Sequence, residues 1–271
     1  MKSTQEPARW HIHESRDALA EAVASDVITV VADAVAQRGS ALLALPGGET
    51  PQVTFGLIRQ AALPWHAMTL VPTDERVVPV GDPLRNDALL RTAFGDLGAT
   101  LLSLLEDADA ETAAGLANAR LQALPWSPDL IWLGMGEDGH TASLFKGSDL
   151  ERALDRGSHR LVMTVRPDPL PPEAPFPRVT LTAAAILQAR ALLVTITGAS
   201  KRTLLEDALL QGANSPLPIG RLLAGAEVPV AIHWALWISH PCRGCRSHRR
   251  SHRATPPHCA IGSAKAPEPR D

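Results

Sequence analysis

The order of apolar and polar residues in this chain predicts alternating helices and strands. After Ser15, which can cap a helix, apolar side chains recur at helical spacing until Gly39, at positions 19, 23, 27, 30, 31 and 35. Short apolar runs of the kind found in buried strands follow at 41–46, 68–73, 129–135, 160–165, 191–197 and 228–235. This βαβ rhythm predicts an α/β fold in three layers, with a mostly parallel sheet and helices on both faces.

One long domain fits this pattern better than two short ones. Residues 167–177 contain six prolines and are therefore expected to form an irregular connection. No linker interrupts residues 1–238, which we interpret as a single α/β domain. In such folds the ligand lies beyond the carboxyl ends of the strands.

The composition changes near Ser239. Residues 239–271 carry six arginines and one lysine against two acidic residues, a net charge of +5, and they contain all three cysteines and almost no large apolar side chain. Such a segment buries too little surface to offset the entropy of ordering, so we predict a disordered basic tail. Two alternatives remain open, a zinc site formed by Cys242, Cys245, His258 and Cys259, and a basic arm that contacts nucleic acid.

The composition of the whole chain argues against several classes of protein. With 45% hydrophobic and 20% charged residues, the chain is typical of a globular protein, and its formal charge of −3 provides no overall basic field for nucleic acid. No uncharged apolar stretch reaches the roughly 18 residues that a membrane span needs, and the N-terminus lacks a signal pattern. We therefore expect a cytoplasmic protein with no membrane or nucleic-acid partner.

Glycines follow the first predicted strand. Gly47 and Gly48 permit a tight turn, Thr50 is a good N-cap and Pro51 suits the first helical position. The amides at such a helix start bind anions, although the same residues also fit a plain turn. The pattern is neither a Walker motif nor GxGxxG, so it does not indicate a nucleotide.

Two further strand ends carry groups suited to acid–base chemistry. Asp74 and Arg76 follow the second predicted strand; a carboxylate can orient a base and a guanidinium can stabilise an oxyanion, although a solvated turn is the simpler interpretation. His140 follows another strand, in a loop with three glycines where a helix is expected to begin. A histidine fixed in this way suits a general base.

Two cations complete the set of candidate residues. Arg178 begins the segment RVTLT, and Lys201 lies in GASK, in the first turn of a predicted helix. A cation is unfavourable at that end of a helix unless an anion binds beside it. Arg178 and Lys201 are therefore candidate phosphate ligands.

Together these motifs resemble those of the 6-phosphogluconolactonases, within the wider superfamily of glucosamine-6-phosphate isomerases and deaminases. The resemblance spans about residues 10–235 and rests on GG-x-TP at 47–51, DER at 74–76, GMGEDGHTASLF at 134–145, RVTLT at 178–182 and GASK at 198–201. Deaminases of this superfamily typically continue the histidine with Ile-Ala-Phe-Asn-Glu. This chain has TASLF at 141–145, as the lactonases do.

The resemblance implies hydrolysis of 6-phospho-D-glucono-1,5-lactone to 6-phosphogluconate, a step of the oxidative pentose phosphate pathway. It implies that His140 deprotonates the attacking water, that Asp74 orients the imidazole or the water, and that Arg76 stabilises the oxyanion with loop amides. No metal or redox cofactor is expected, because an activated ester opens with base and oxyanion support alone. The implied phosphate ligands are Gly47, Gly48, Thr50, Arg178 and Lys201.

Two other functions fit the same pattern. One is an isomerase or deaminase acting on an amino-sugar phosphate, which also needs a histidine at the sheet edge. The other is a non-catalytic sugar-phosphate sensor. A sensor normally carries an attached DNA-binding domain, and no such domain is expected before Trp10.

Overall fold

The long first helix begins and ends at the capping residues that the sequence predicts. In the computed structural model, which describes residues 8–106, 109–170 and 175–236, helix α1 (Arg16–Arg38) follows Ser15, whose side chain accepts a hydrogen bond from the amide of Ala18. Gly39 ends the helix in the left-handed conformation, with φ 77°, and its amide donates to the carbonyl of Val35.

The central sheet has seven strands, and every pairing within it is parallel. Its order is β1-β10-β9-β6-β2-β3-β5, formed by β1 (Arg9–His13), β2 (Ala41–Leu45), β3 (Met68–Pro72), β5 (Thr100–Leu101), β6 (Leu130–Gly134), β9 (Leu192–Thr197) and β10 (Val230–Ala235). Five of the six predicted apolar runs supply strands to it. The mostly parallel α/β fold is therefore confirmed.

Helices cover both faces of this sheet. They are α2 (Thr50–Ile58), α3 (Asn86–Phe94), α4 (Ala110–Gln122), α5 (Leu150–Ala153), α6 (Ala183–Ile186), α7 (Ala199–Gln211) and α8 (Pro218–Leu223). Adjacent strand residues point to opposite cores: Leu43 packs with residues of α1, α2 and α3, whereas Ala44 packs with residues of the later helices. The two cores on either side of one sheet give the three layers that the sequence predicts.

A second, antiparallel sheet of three strands lies outside the pattern that the sequence predicts. Its order is β4-β8-β7, with β4 (Asp74–Arg76), β7 (Val162–Val165) and β8 (Arg178–Leu181). The remaining apolar run, at 160–165, contains strand β7, which pairs in this small sheet and not in the parallel sheet. Within this sheet Asp74 is opposite Thr180, and Arg76 is opposite Arg178.

The predictions for the proline-rich connection and for the tail fall on residues that the structure describes only in part or not at all. Residues 167–170 and 175–177 form neither helix nor strand, in agreement with the irregular connection expected there. The proposed tail, with its candidate zinc ligands Cys242, Cys245, His258 and Cys259, lies outside the described residues, so the tail and the domain boundary near Ser239 stay predictions. Among the helices that the structure describes, none is both long and apolar enough to cross a membrane.

Candidate active site

A cleft of about 230 Å³ lies at the carboxyl ends of β2, β3, β6 and β9. Parallel strands bring these ends to one edge of the sheet, which is where ligands bind in such folds. Seven of the eight predicted site residues line the cleft, namely Gly47, Gly48, Thr50, Asp74, Arg76, His140 and Lys201. Residues distant in sequence therefore meet at one site.

The glycine loop after β2 forms one wall of the cleft. A Cβ atom on Gly47 would lie 1.8 Å from Oδ1 of Asn86, so this close approach requires glycine. Gly48 has φ 89°, in the left-handed region. Helix α2 begins one residue earlier than the sequence predicts, because Glu49 and not Thr50 is its N-cap, without a capping hydrogen bond from its side chain.

His140 lies in a tight turn after β6. The sequence predicts that a helix begins at this position, but none does. The next helix is α5, which starts at Leu150. The amide of Gly136 donates to the carbonyl of His140 at 2.9 Å, and Gly139 has φ 79°. A Cβ atom on Gly136 would lie 2.1 Å from Cε1 of His140, so the glycine makes room for the imidazole.

The imidazole is oriented by Asp138, a residue that the sequence analysis did not select. Nδ1 of His140 lies 2.6 Å from Oδ1 of Asp138, which also accepts a hydrogen bond from the amide of His140 at 3.1 Å. Burial opposes ionisation, but the hydrogen bond and charge of His140 prevail and lower the pKa of Asp138 to about 2. An ionised carboxylate only accepts, so in the neutral ring Nδ1 carries the proton and Nε2 holds the free lone pair.

Asp74 is predicted to orient the imidazole or the water; Asp138 makes the contact with the imidazole, and the role of Asp74 stays a prediction. Asp74 lines the same cleft beside Arg76, and the two are joined through Asn86. Nη1 of Arg76 donates to Oδ1 of Asn86 and, at 3.1 Å, to the carbonyl of Leu84. Nδ2 of Asn86 donates to the carbonyl of Asp74 at 2.7 Å. Asn86 is a cleft residue that sequence reasoning missed, although its place at the start of a helix after the DER segment was a usable signal.

Glu75, which lies between Asp74 and Arg76 in β4, is buried and holds the backbone of the site. Its carboxylate accepts hydrogen bonds of 2.8 Å from the amides of Arg76, Asn86 and Asp87. Burial raises the pKa of Glu75 to about 7, against the lowering effect of these amides. Because Asn86 and Asp87 are the first residues of α3, Glu75 fixes the start of that helix against β4.

Lys201 lies in the first turn of α7, as the sequence predicts. Its Nζ donates to the carbonyl of Met135 at 2.7 Å and lies 3.7 Å from Oε1 of Glu137. The loop that precedes α7 is held by Trp234, whose indole N–H donates to the carbonyl of Gly198 at 2.7 Å. These contacts hold Lys201 in the wall of the cleft, which the glycine loop also lines.

Arg178 is the one predicted residue that does not line the cleft. Its side chain is buried in the small sheet, and Nη1 donates to the carbonyl of Phe176. Sequence position alone did not reveal this, because the residue begins an antiparallel strand and not a strand of the parallel sheet. The assignment of Arg178 to the phosphate stays a prediction.

A metal site is not formed by the residues that the structure describes. Within 8–106, 109–170 and 175–236, no group of three or more His, Cys, Asp or Glu side chains is arranged to hold a metal ion.

Comparison with known proteins places the chain among sugar-phosphate enzymes. A family model described as glucosamine-6-phosphate isomerases/6-phosphogluconolactonase matches residues 14–233. The 6-phosphogluconolactonase of Rhizobium meliloti is 38% identical over 84% of this chain and 99% of the relative, and that of Mesorhizobium japonicum is 36% identical over 83% and 94%. The crystal structure of a 6-phosphogluconolactonase from Shewanella baltica has a TM-score of 0.78 and 29% identity, over 85% of this chain and 99% of that one. The chain therefore belongs to the family of glucosamine-6-phosphate isomerases and 6-phosphogluconolactonases.

Proposed function

We propose that this protein hydrolyses 6-phospho-D-glucono-1,5-lactone to 6-phosphogluconate. The observation that carries the proposal is the 2.6 Å contact between His140 and Asp138 in a cleft that Lys201 and the glycine loop also line. This arrangement offers a base for water and, beside it, groups for a phosphate. The relatives from Rhizobium meliloti and Mesorhizobium japonicum are both named 6-phosphogluconolactonase, which supports this proposal.

The reaction begins when Nε2 of His140 takes a proton from water, whose oxygen then bonds to C1 of the lactone. Asp138 stabilises the imidazolium that forms, since its carboxylate stays ionised beside the ring. Arg76 and loop amides support the negative charge on the carbonyl oxygen. The bond between C1 and the ring oxygen then breaks, and the proton held by His140 passes to that oxygen.

The phosphate is bound by the glycine loop and Lys201, which line the cleft together with His140. Amides of Gly47, Gly48 and Thr50 lie at the start of α2, where backbone N–H groups and the helix dipole favour an anion. Lys201 adds a positive charge from the start of α7. An anion between the two helix starts relieves the unfavourable placement of that lysine.

Replacement of the base tests this mechanism. We expect His140→Ala to fold and to lose lactone opening by a factor of about a hundred or more, the usual contribution of a general base. The assay uses freshly prepared lactone, and the rate of spontaneous hydrolysis is subtracted. Near wild-type turnover by the folded variant would remove His140 from the mechanism.

The same assay separates the competing functions. The family description also names glucosamine-6-phosphate isomerases, so purified protein is offered glucosamine 6-phosphate in parallel. Turnover of that substrate without lactone hydrolysis would overturn the proposal in favour of an isomerase or deaminase. Binding of 6-phosphogluconate without turnover of either substrate would indicate a sensor.

A further inference from the structure

The carboxylate of Asp74 is held by three side chains at the cleft wall. Oδ2 accepts a 2.5 Å hydrogen bond from the hydroxyl of Ser143. Oδ1 lies 3.3 Å from both the hydroxyl of Thr73 and Nδ2 of Asn86. A carboxylate rotates freely about its last bond unless donors fix it, and here the shortest of the three contacts is the one made by Ser143.

Ser143 does not reach the cleft itself. Its side chain is 1% exposed, and it is absent from the residues that line the cleft. Its amide donates to Oγ1 of Thr180 at 3.1 Å, and Thr180 is the residue opposite Asp74 in the small antiparallel sheet. The serine is thus fixed by β8 at its backbone and by Asp74 at its hydroxyl.

The backbone before Ser143 adopts a conformation that a non-glycine residue rarely takes. Ala142 has φ 46°, in the left-handed region, and lines the cleft while the next residue points inward. On its other side, the hydroxyl of Thr141 donates to the carbonyl of Gly134 at 2.8 Å and ties the turn to β6. The turn that presents His140 therefore also delivers the hydroxyl that holds Asp74.

We propose that Ser143 is a positioning residue for lactone hydrolysis, which sets the orientation of Asp74 relative to His140. This inference rests on the proposed function. Because Asp138 already holds the imidazole, Asp74 is left to accept a hydrogen bond from the attacking water, and its orientation sets where that water lies. Ser143 acts only through Asp74, since it is buried and does not line the cleft.

A misplaced water slows the chemical step without weakening substrate binding. We therefore expect Ser143→Ala to lower kcat by about tenfold to a hundredfold, the effect of displacing a reacting group by about 1 Å. KM for the phosphorylated lactone should stay unchanged, because Lys201 and the glycine loop are untouched. Ser143→Thr, which keeps the hydroxyl, should recover much of the lost rate.

A buried hydroxyl elsewhere provides the control. Thr182 is 1% exposed and donates to the carbonyl of Arg160 at 2.6 Å, away from the cleft. Thr182→Ala likewise removes a buried hydroxyl, which donates to this carbonyl and accepts from the amide of Ala185, and should leave kcat unchanged. An equal loss of kcat in both variants would show a general structural effect and overturn the inference.

A double-mutant cycle with Asp74→Asn tests the route through Asp74. If Ser143 acts only through this carboxylate, Ser143→Ala has no further effect on kcat in the Asp74→Asn background. Independent, multiplicative losses would overturn the inference, and so would full activity of Ser143→Ala. Should Ser143→Ala fail to fold, the cycle is run with Ser143→Cys, which has nearly the same size and only a weak donor. Lack of turnover by the wild type would instead overturn the proposed function and, with it, this inference.

Discussion

At the scale of single residues, a carboxylate and a backbone carbonyl limit the freedom of the Lys201 side chain in the cleft. Lys201 is 22% exposed, with Glu137 at 3.7 Å and the carbonyl of Met135 at 2.7 Å. A lysine constrained in this way loses less side-chain entropy when a phosphate binds. Its contribution should therefore appear in binding and not in the chemical step.

Replacement of this lysine tests the proposed phosphate site. We expect Lys201→Ala to weaken binding of the phosphorylated lactone and of 6-phosphogluconate by about 1.5 to 3 kcal/mol, as for a charge-assisted hydrogen bond. Hydrolysis of the lactone without phosphate should hardly change. Lys146→Ala is a matched control, because Lys146 is exposed and does not line this cleft. Equal losses with both lactones would assign Lys201 to folding or chemistry.

Seven of the eight site residues that the sequence predicted line the cleft, but their contact partners were not all predicted. Gly47, His140 and Lys201 were found because each stands where a strand gives way to a loop or helix, a position visible in the pattern. Asp138 was missed, since its contact with His140 depends on the exact turn formed around Gly136 and Gly139. Spacing along the chain does not show which of several nearby carboxylates an imidazole meets.

At the scale of elements, the strongly apolar strands were predictable and the polar ones were not. β2, β6 and β9 are buried on both faces and appear as continuous apolar runs. β4 consists only of Asp-Glu-Arg, and β1 is an edge strand that alternates polar and apolar residues over five positions. Their strand conformation depends on tertiary pairing with β8 and β10, which a local pattern does not contain.

The pairing of β1 with β10 places the buried His233 against two other histidines, away from the cleft. His11 and His13 stack on His233 with ring centroids 4.6 and 5.2 Å apart, and Oδ2 of Asp26 lies 3.0 Å from Nε2 of His233. Burial lowers the pKa of His233 to about 4; Asp26 opposes this shift, and His11 and His13 add to it. The folded protein therefore holds this ring neutral at a pH where the unfolded chain protonates it.

This cluster should make the fold sensitive to acid. The stabilising contribution of neutral His233 is complete above about pH 6.5 and is lost as the pH falls from there towards 4. Between pH 7.5 and 5 we expect the free energy of unfolding to fall by about 2 kcal/mol more in the wild type than in His233→Gln. Urea denaturation at several pH values measures this difference. His159→Gln, at an exposed position, should behave like the wild type, and identical pH slopes in all three proteins would contradict the prediction.

At the scale of the whole molecule, the two parts of the chain differ in what their composition can support. Residues 8–106, 109–170 and 175–236 form two cores around one sheet, built from residues such as Phe55 in one core and Leu133 in the other. The last 33 residues offer arginine, histidine and proline with almost no large apolar side chain. On this physical ground the catalytic cleft should function without them.

Removal of residues 239–271 tests that expectation. We expect the shortened chain to keep its lactonase rate and its melting temperature, because residues 239–271 have almost no large apolar side chain to add to a core. In the intact protein, limited proteolysis should cut near Arg243–Arg253 and leave an active core.

A zinc site at Cys242 and Cys245 would instead make the melting temperature fall with a chelator, and Cys242→Ser would reproduce that fall, since a structural metal contributes folding free energy. A basic arm would show salt-dependent binding of an oligonucleotide that truncation abolishes. Loss of folding on truncation would place the domain boundary beyond Ser239 and make the tail part of the fold.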